Sequence, residues 1–157
     1  IVAGLRESKG ARLAWTHADG QTPPSDVLKG LLLLKDSGER TVVKGRRVGR
    51  PFRDIAFTAG MSVAGSVLLG GWYADVNGQP KCFPRALFEA FDAPPTDLSL
   101  DLYLLHLARR NGYRLRSFDV TFGARAHGES KWAFSWQSKA RNVARTLAAM
   151  RTMRRRA

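Results

Sequence analysis

Apolar and polar positions change period repeatedly along the chain, and each change marks an element. Ile1 to Leu13 is short and interrupted by polar residues, reading as the tail of a helix that runs into a strand at Arg12–Thr16. His17 to Pro24 is a polar loop whose two prolines end regular structure. Ser25 is placed to cap a helix carrying Val27, Leu28, Leu31, Leu32 and Leu34, which stops near Ser37-Gly38. Thr41 to Gly45 predicts a short strand leading into an arginine-rich loop. Ile55 to Gly71 carries no charge, and a buried or interfacial helix is expected over 54–71, too short to span a bilayer comfortably. Trp72 to Phe83 predicts a strand and turn around Asn77-Gly78, and Arg85 to Phe91 a short helix closed by Pro94-Pro95. Thr96 or Asp97 then caps a helix, Leu98 to Arg110, with Leu100, Tyr103, Leu104 and Leu107 on one face. Asn111-Gly112 stops it, Tyr113 to Phe122 alternates as a strand, and a basic helix follows over 133–157. Strands alternating with helices indicate an α/β layer fold.

Composition supports one globular domain. The 157 residues are 44% apolar and 25% charged, which excludes a disordered or collagen-like chain. The one cysteine, Cys82, excludes an intramolecular disulfide and fits a reducing compartment, and no secretory leader pattern opens the sequence. Charge is the anomaly: 26 basic residues against 13 acidic ones give +13. Such an excess predicts an anionic partner: nucleic acid, a phosphorylated small molecule or an acidic lipid surface. The charge is unevenly spread. Arg40 to Arg53 holds six basic residues and no acid, and from Ser130 onward there are eight basic residues and no acid. Arginine outnumbers lysine, which favours bidentate phosphate contacts, although genomic base composition produces the same bias.

Three constellations carry candidate chemistry. His17, Asp19 and Gln21 bring an imidazole, a carboxylate and a carboxamide oxygen within five residues after a strand. These are donors for Mg2+ or Mn2+, at the strand end where open α/β sheets bind ligands; a purely structural polar loop has the same composition. Arg125 to Trp132 combines Arg125, Ser130 and Lys131 around a glycine, plausible contacts for a diphosphate or simply a solvated loop. Arg46, Arg47, Arg50 and Arg53 form a basic lip before the uncharged segment, as a phosphate-headed lipid would require and as a solvated loop would equally show.

In this order the segments resemble family 2 glycosyltransferases, in particular the polyprenyl-phosphate sugar transferases of the dolichol-phosphate mannosyltransferase kind. Asp19-Gly20-Gln21-Thr22-Pro23-Pro24 resembles the metal-binding "D-A-D-x-Q-x-x-P" signature, and Val43-Lys44-Gly45-Arg46-Arg47 the "G-x-R" acceptor loop. Asp75 to Phe83 resembles "D-x-x-x-G-x-x-x-F", Asp97 to Asp101 resembles "D-F-x-x-D", and Arg125 to Trp132 resembles "R-x-x-G-x-S-K-W". The resemblance implies an enzyme with an incomplete GT-A, Rossmann-like three-layer α/β sandwich. Its reaction would move a sugar from a nucleotide-sugar donor to a polyprenyl phosphate. The implied location is cytoplasmic, peripheral on an anionic membrane face, and a homo-oligomer is left open. Carried over by residue, Asp19 and Gln21, with His17, would hold Mg2+ or Mn2+. Arg46, Arg47, Arg50, Arg125, Ser130 and Lys131 would contact donor or acceptor phosphates. Asp97, Asp101 and Arg125 are the catalytic candidates; Asp97 and Asp101 would orient the acceptor or support the loop, and Asp97 also suits a helix cap.

The sequence departs from the family in two respects. His17 stands where the family has its first metal-loop aspartate, and the "P-x-Y-N-E" and "D-D-x-S-x-D" signatures do not occur. The resemblance therefore implies the C-terminal part of a catalytic domain, residues 1–157, without its N-terminal strands and dependent on them for activity. The alternative from charge alone is a basic nucleic-acid-binding module without catalysis. The four tryptophans are scattered and no recognised nucleic-acid module is visible, which disfavours it.

Overall fold

The structure, a computed structural model, describes residues 1–49, 62–63, 65–121, 123 and 136–155. In chain order these form α1 (Val2–Glu7), β1 (Arg12–Trp15), α2 (Ser25–Ser37), β2 (Thr41–Val48), β3 (Lys81–Pro84), α3 (Arg85–Glu89), α4 (Leu100–Arg110), β4 (Arg114–Thr121) and α5 (Trp136–Arg155). The four strands make one mixed sheet in the order β1-β3-β2-β4. β3 runs antiparallel to both β1 and β2, while β2 and β4 pair in parallel from Thr41↔Arg114 to Val48↔Thr121. β1, β2 and β4 therefore point the same way, and their C-terminal ends share one edge of the sheet.

Period-two alternation divides the strand side chains between two apolar layers. Leu13, Trp15, Val42 and Phe83 face the larger core, where Leu102, Leu104 and Leu105 of α4, Leu87 of α3, Leu5 of α1 and Tyr73 close over them. Met150 and Met153 of α5 are buried in the same core, while Arg141, Arg145, Arg151, Arg154 and Arg155 stay exposed. Val43 and Cys82 face the other way, with Ala14 and Phe118, against Leu31, Leu33 and Leu34 of α2. Each large apolar side chain buried in this way contributes about 1.5–3 kcal/mol. Helices on both sheet faces make the three-layer α/β sandwich expected from the sequence.

Several boundaries differ from the sequence expectation. β2 continues past Gly45 to Val48, because its parallel ladder with β4 pairs Arg46 and Arg47 with Asp119 and Val120. Residues 74–77 are turn, and strand structure begins only at Lys81. Ser25 is the first residue of α2 and makes no capping bond; Pro24 occupies the cap position. α4 begins at Leu100 because Asp97 folds an Asx turn ahead of it: its Oδ1 accepts the Ser99 N–H at 2.9 Å and its carbonyl accepts the Leu100 N–H. Of the segment expected as an interfacial helix, residues 62–63 and 65–69 are helical, and the rest up to 61 lies outside the described residues. Among the described residues, no helix is long and apolar enough to cross a membrane.

Candidate active site

The loop after β1 lies at the sheet edge formed by the C-terminal ends of β1, β2 and β4. Asp19 Oδ1 accepts the Gln21 N–H at 3.2 Å, which closes a tight turn. Gln21 then ties this loop to the chain leaving β4: its Nε2 donates to the Gly123 carbonyl at 3.1 Å, and the Gly123 N–H returns to the Gln21 carbonyl at 3.0 Å. The two loops follow opposite edge strands of the sheet, so the tie crosses its whole C-terminal edge. Arg125 follows Gly123 by two residues. Arg125, Ser130 and Lys131, together with Arg50, lie outside the described residues.

As a cation site the 17–21 loop supplies one carboxylate and one carboxamide, with the exposed His17 imidazole beside them. Among the described residues no cluster of three or more His, Cys, Asp or Glu side chains is arranged to hold a metal. Such a sparse oxygen set fits a cation that takes most of its ligands from phosphate and water, as Mg2+ does. It does not fit a site built from protein ligands alone.

Behind this edge lies a buried polar network. Trp15, Lys81 and Lys44 stand side by side in the register of β1, β3 and β2, all on the α4 side of the sheet. Asp101, in the first turn of α4, comes down onto them. Its Oδ1 accepts the Trp15 indole N–H at 3.0 Å, both carboxylate oxygens accept Gln79 Nε2 at 2.9 Å, and Lys81 Nζ lies 3.4 Å away. Lys81 is fully buried and also donates to the carbonyls of Val76 and Gly78 at 2.7 and 2.6 Å. Burial lowers its pKa, against the opposing pull of Asp101.

A second carboxylate holds the end of β2. Asp75 Oδ2 accepts the Arg47 N–H at 2.8 Å, and its Oδ1 accepts from Nε and Nη2 of the Arg47 guanidinium. The Asp75 carbonyl accepts Lys44 Nζ at 3.0 Å. Asp75 presents both groups from a left-handed conformation, φ 41°, which aspartate tolerates better than most residues. Burial works to raise its pKa, but the Arg47 hydrogen bonds and charge, with that of Lys44, hold it below the usual carboxylate range. Lys44 is itself pushed down to about 8, by burial first and by Lys81 second. Glycines let these segments meet: a Cβ on Gly45 would collide with the Gln79 carbonyl, and one on Gly78 with the Gly45 carbonyl.

The candidate residues thus fall into separate environments. Asp101 is buried in the polar network, and Arg47 is bound to Asp75. Arg46 forms an exposed pair with its cross-strand partner Asp119, at 2.6 Å. Asp97 forms the turn before α4. Asp19 accepts the Gln21 N–H, and Gln21 makes the surface tie to Gly123. Trp15, Lys44, Asp75, Gln79 and Lys81 were not among the candidates. Two of them carried a signal: Lys44 and Lys81 interrupt short apolar strands at positions where the alternation calls for an inward side chain.

No protein-family model matches the chain, and no curated protein matches it in sequence. A solved structure does resemble it: glucosyl-3-phosphoglycerate synthase from Mycobacterium tuberculosis, crystallised in complex with phosphoglyceric acid. The two align with a TM-score of 0.64 over 98% of this chain, at 16% sequence identity. The fold is shared. It is the GT-A, Rossmann-like α/β sandwich expected from the sequence, and this chain spans 52% of the length of the synthase.

Proposed function

We propose that the protein acts as a family 2 glycosyltransferase that transfers a sugar from a nucleotide-sugar to a polyprenyl phosphate at a membrane surface. The observation that carries this reading is the Gln21–Gly123 tie, which joins the 17–21 loop to Gly123, two residues ahead of Arg125 in the sequence, at one strand edge. Ligands of open α/β sheets bind at that edge. The shared fold with a sugar-transferring synthase supports the reaction class. In the transfer, an acceptor phosphate oxygen bonds to the anomeric carbon as the bond to the nucleotide diphosphate breaks, and the diphosphate leaves as an anion.

A phosphate acceptor is already ionised near neutral pH, so the site needs orientation and charge neutralisation more than a strong base. Asp19 and Gln21, with His17 alongside, would hold a divalent cation whose role is to neutralise the departing diphosphate. Arg125, Ser130 and Lys131 would contact the same phosphates, and Arg46, Arg47 and Arg50 the acceptor. Asp101 keeps Trp15 and Lys81 in place beneath the edge, as a positioning residue. A lipid acceptor is supported by Val63, Val67 and Trp72, exposed apolar side chains within residues 62–72. The phosphoglyceric acid in the neighbouring structure favours a second reading, a small phosphorylated acid as acceptor.

The test offers labelled nucleotide-sugars and Mn2+ to the full-length protein with undecaprenyl phosphate or with 3-phosphoglycerate. Label is expected in the lipid phase, falling at least about 100-fold in Asp19→Ala. Label on phosphoglycerate alone would replace the acceptor assignment. Transfer to neither acceptor, or transfer indifferent to Asp19→Ala, overturns the reading.

A further inference from the structure

A cleft at the other end of the sheet is lined with cations. Its volume is about 820 Å³, and Asp36, Ser37, Arg109, Gly112, Tyr113, Arg114, Leu115 and Arg116 line it. It sits where β4 begins, an eight-residue strand away from Gly123, roughly 25 Å at the rise of a β-strand. Arg40 stands at its rim, with its guanidinium 5.6 Å from the Tyr113 ring centroid.

The arginines of this cleft are held in place, and by neutral groups. Arg114 Nη2 donates to the Ser37 carbonyl at 3.1 Å, and Arg116 Nη1 to the Ser37 hydroxyl at 2.8 Å. Arg40 Nη2 donates to the Asn111 carbonyl, and Arg109 Nη2 to the Trp72 carbonyl at 2.8 Å while lying over the Tyr73 ring. Among the described residues none of the four is paired with a carboxylate, and the acidic side chain lining the cleft, Asp36, bonds to none of them. Each bond fixes one arm of a guanidinium and leaves its charge uncompensated. Arg114 and Arg116, two residues apart on one strand, point to the same face of β4, and both reach Ser37. Guanidinium groups converging in this way are suited to a phosphate group.

We propose that this cleft is a binding site for a phosphate-bearing ligand, separate from the strand edge where transfer is placed. Both a soluble polyphosphate and an anionic lipid headgroup have that chemistry. Anchored guanidinium forks that no carboxylate pairs with are suited to bind it bidentately.

Two probes are offered to the full-length protein: sodium tripolyphosphate by titration calorimetry, and phosphatidylcholine vesicles with and without phosphatidic acid by sedimentation. The double variant Arg114→Gln/Arg116→Gln is compared with Arg151→Gln/Arg154→Gln, which removes equal charge from α5. Circular dichroism and thermal melting check folding. If the β4 variant does not fold, Arg109→Gln decides by the same criteria. Saturable 1:1 binding of tripolyphosphate, weakened at least about tenfold in the β4 variant and unchanged in the α5 variant, assigns the site to a soluble polyphosphate. The same pattern with the anionic vesicles alone assigns it to a headgroup. Binding of neither probe, equal weakening in both variants, or affinity for RNA and neither probe overturns the proposal.

Discussion

The two ends of the sheet handle positive charge in opposite ways. At the C-terminal strand edge, Lys81 and Arg47 are buried or nearly so, and each has a carboxylate, Asp101 or Asp75, aimed at it. At the start of β4, Arg114 and Arg116 are exposed and are steadied by a carbonyl and a hydroxyl. Desolvation explains the difference. A buried cation without a counter-charge is costly, so the interior end is internally neutralised and rigid. An exposed guanidinium needs no partner, so the outer end keeps a charge excess available to a ligand.

Removing a charge at the interior end is the strongest way to break this contrast. Asp101→Ala strands the Lys81 ammonium in the core and removes the acceptor of Trp15 and Gln79. A loss of about 3–5 kcal/mol is expected in urea unfolding. If the loss is instead no greater than for an ordinary surface substitution, the buried network is not what holds this edge. Gly45→Ala comes next. The new methyl meets the Gln79 backbone, which cannot rotate away as a side chain could, so a cost near the upper end of about 1–3 kcal/mol should appear in the same measurement.

Lys44 sharpens the comparison through pH. Its folded pKa, about 8, lies below the ordinary 10.5, so over that interval the unfolded chain binds the proton more tightly. Its contribution to stability therefore rises with pH from about 8 to 10.5, by at most about 1.4 kcal/mol per unit. Lys44→Met should remove that slope when the unfolding free energies of the two proteins are subtracted across the range. A parallel pair of curves would mean that the amine is solvated in the folded protein. The smallest effect belongs to Asp119→Ala. Arg46 and Asp119 are paired yet exposed, and no measurable change in unfolding midpoint is expected, because water screens what burial would have strengthened.

Much of the architecture was legible along the chain. The apolar spacing of α2 and α4, the strand starts at Arg12 and Thr41, and the stop at Asn111-Gly112 are local signals, decided within one or two turns of chain. Boundaries failed where a partner strand decided them. Arg46 and Arg47 carry no strand signal, yet the β4 ladder extends β2 through them to Val48. The site was legible in part. Asp19 and Gln21 were singled out by residue type and position after a strand, but the tie from Gln21 to Gly123, 102 residues beyond it, has no local trace. Asp101 was a catalytic candidate by resemblance; its bond to Trp15, 86 residues away, makes it part of the buried network.

By itself the sequence determined the layers, because side-chain periodicity is a property of the local backbone. It also determined the charge excess, because composition does not depend on the fold. Only the tertiary structure decided which charges are neutralised. Lys44 and Lys81 are identical in chemistry to any surface lysine, and it is the register of three strands that buries them together and sets Asp101 and Asp75 against them. The arginines at the opposite end remain unpaired for the same reason, since no strand or helix of the described residues sets a carboxylate in ion-pair contact with them.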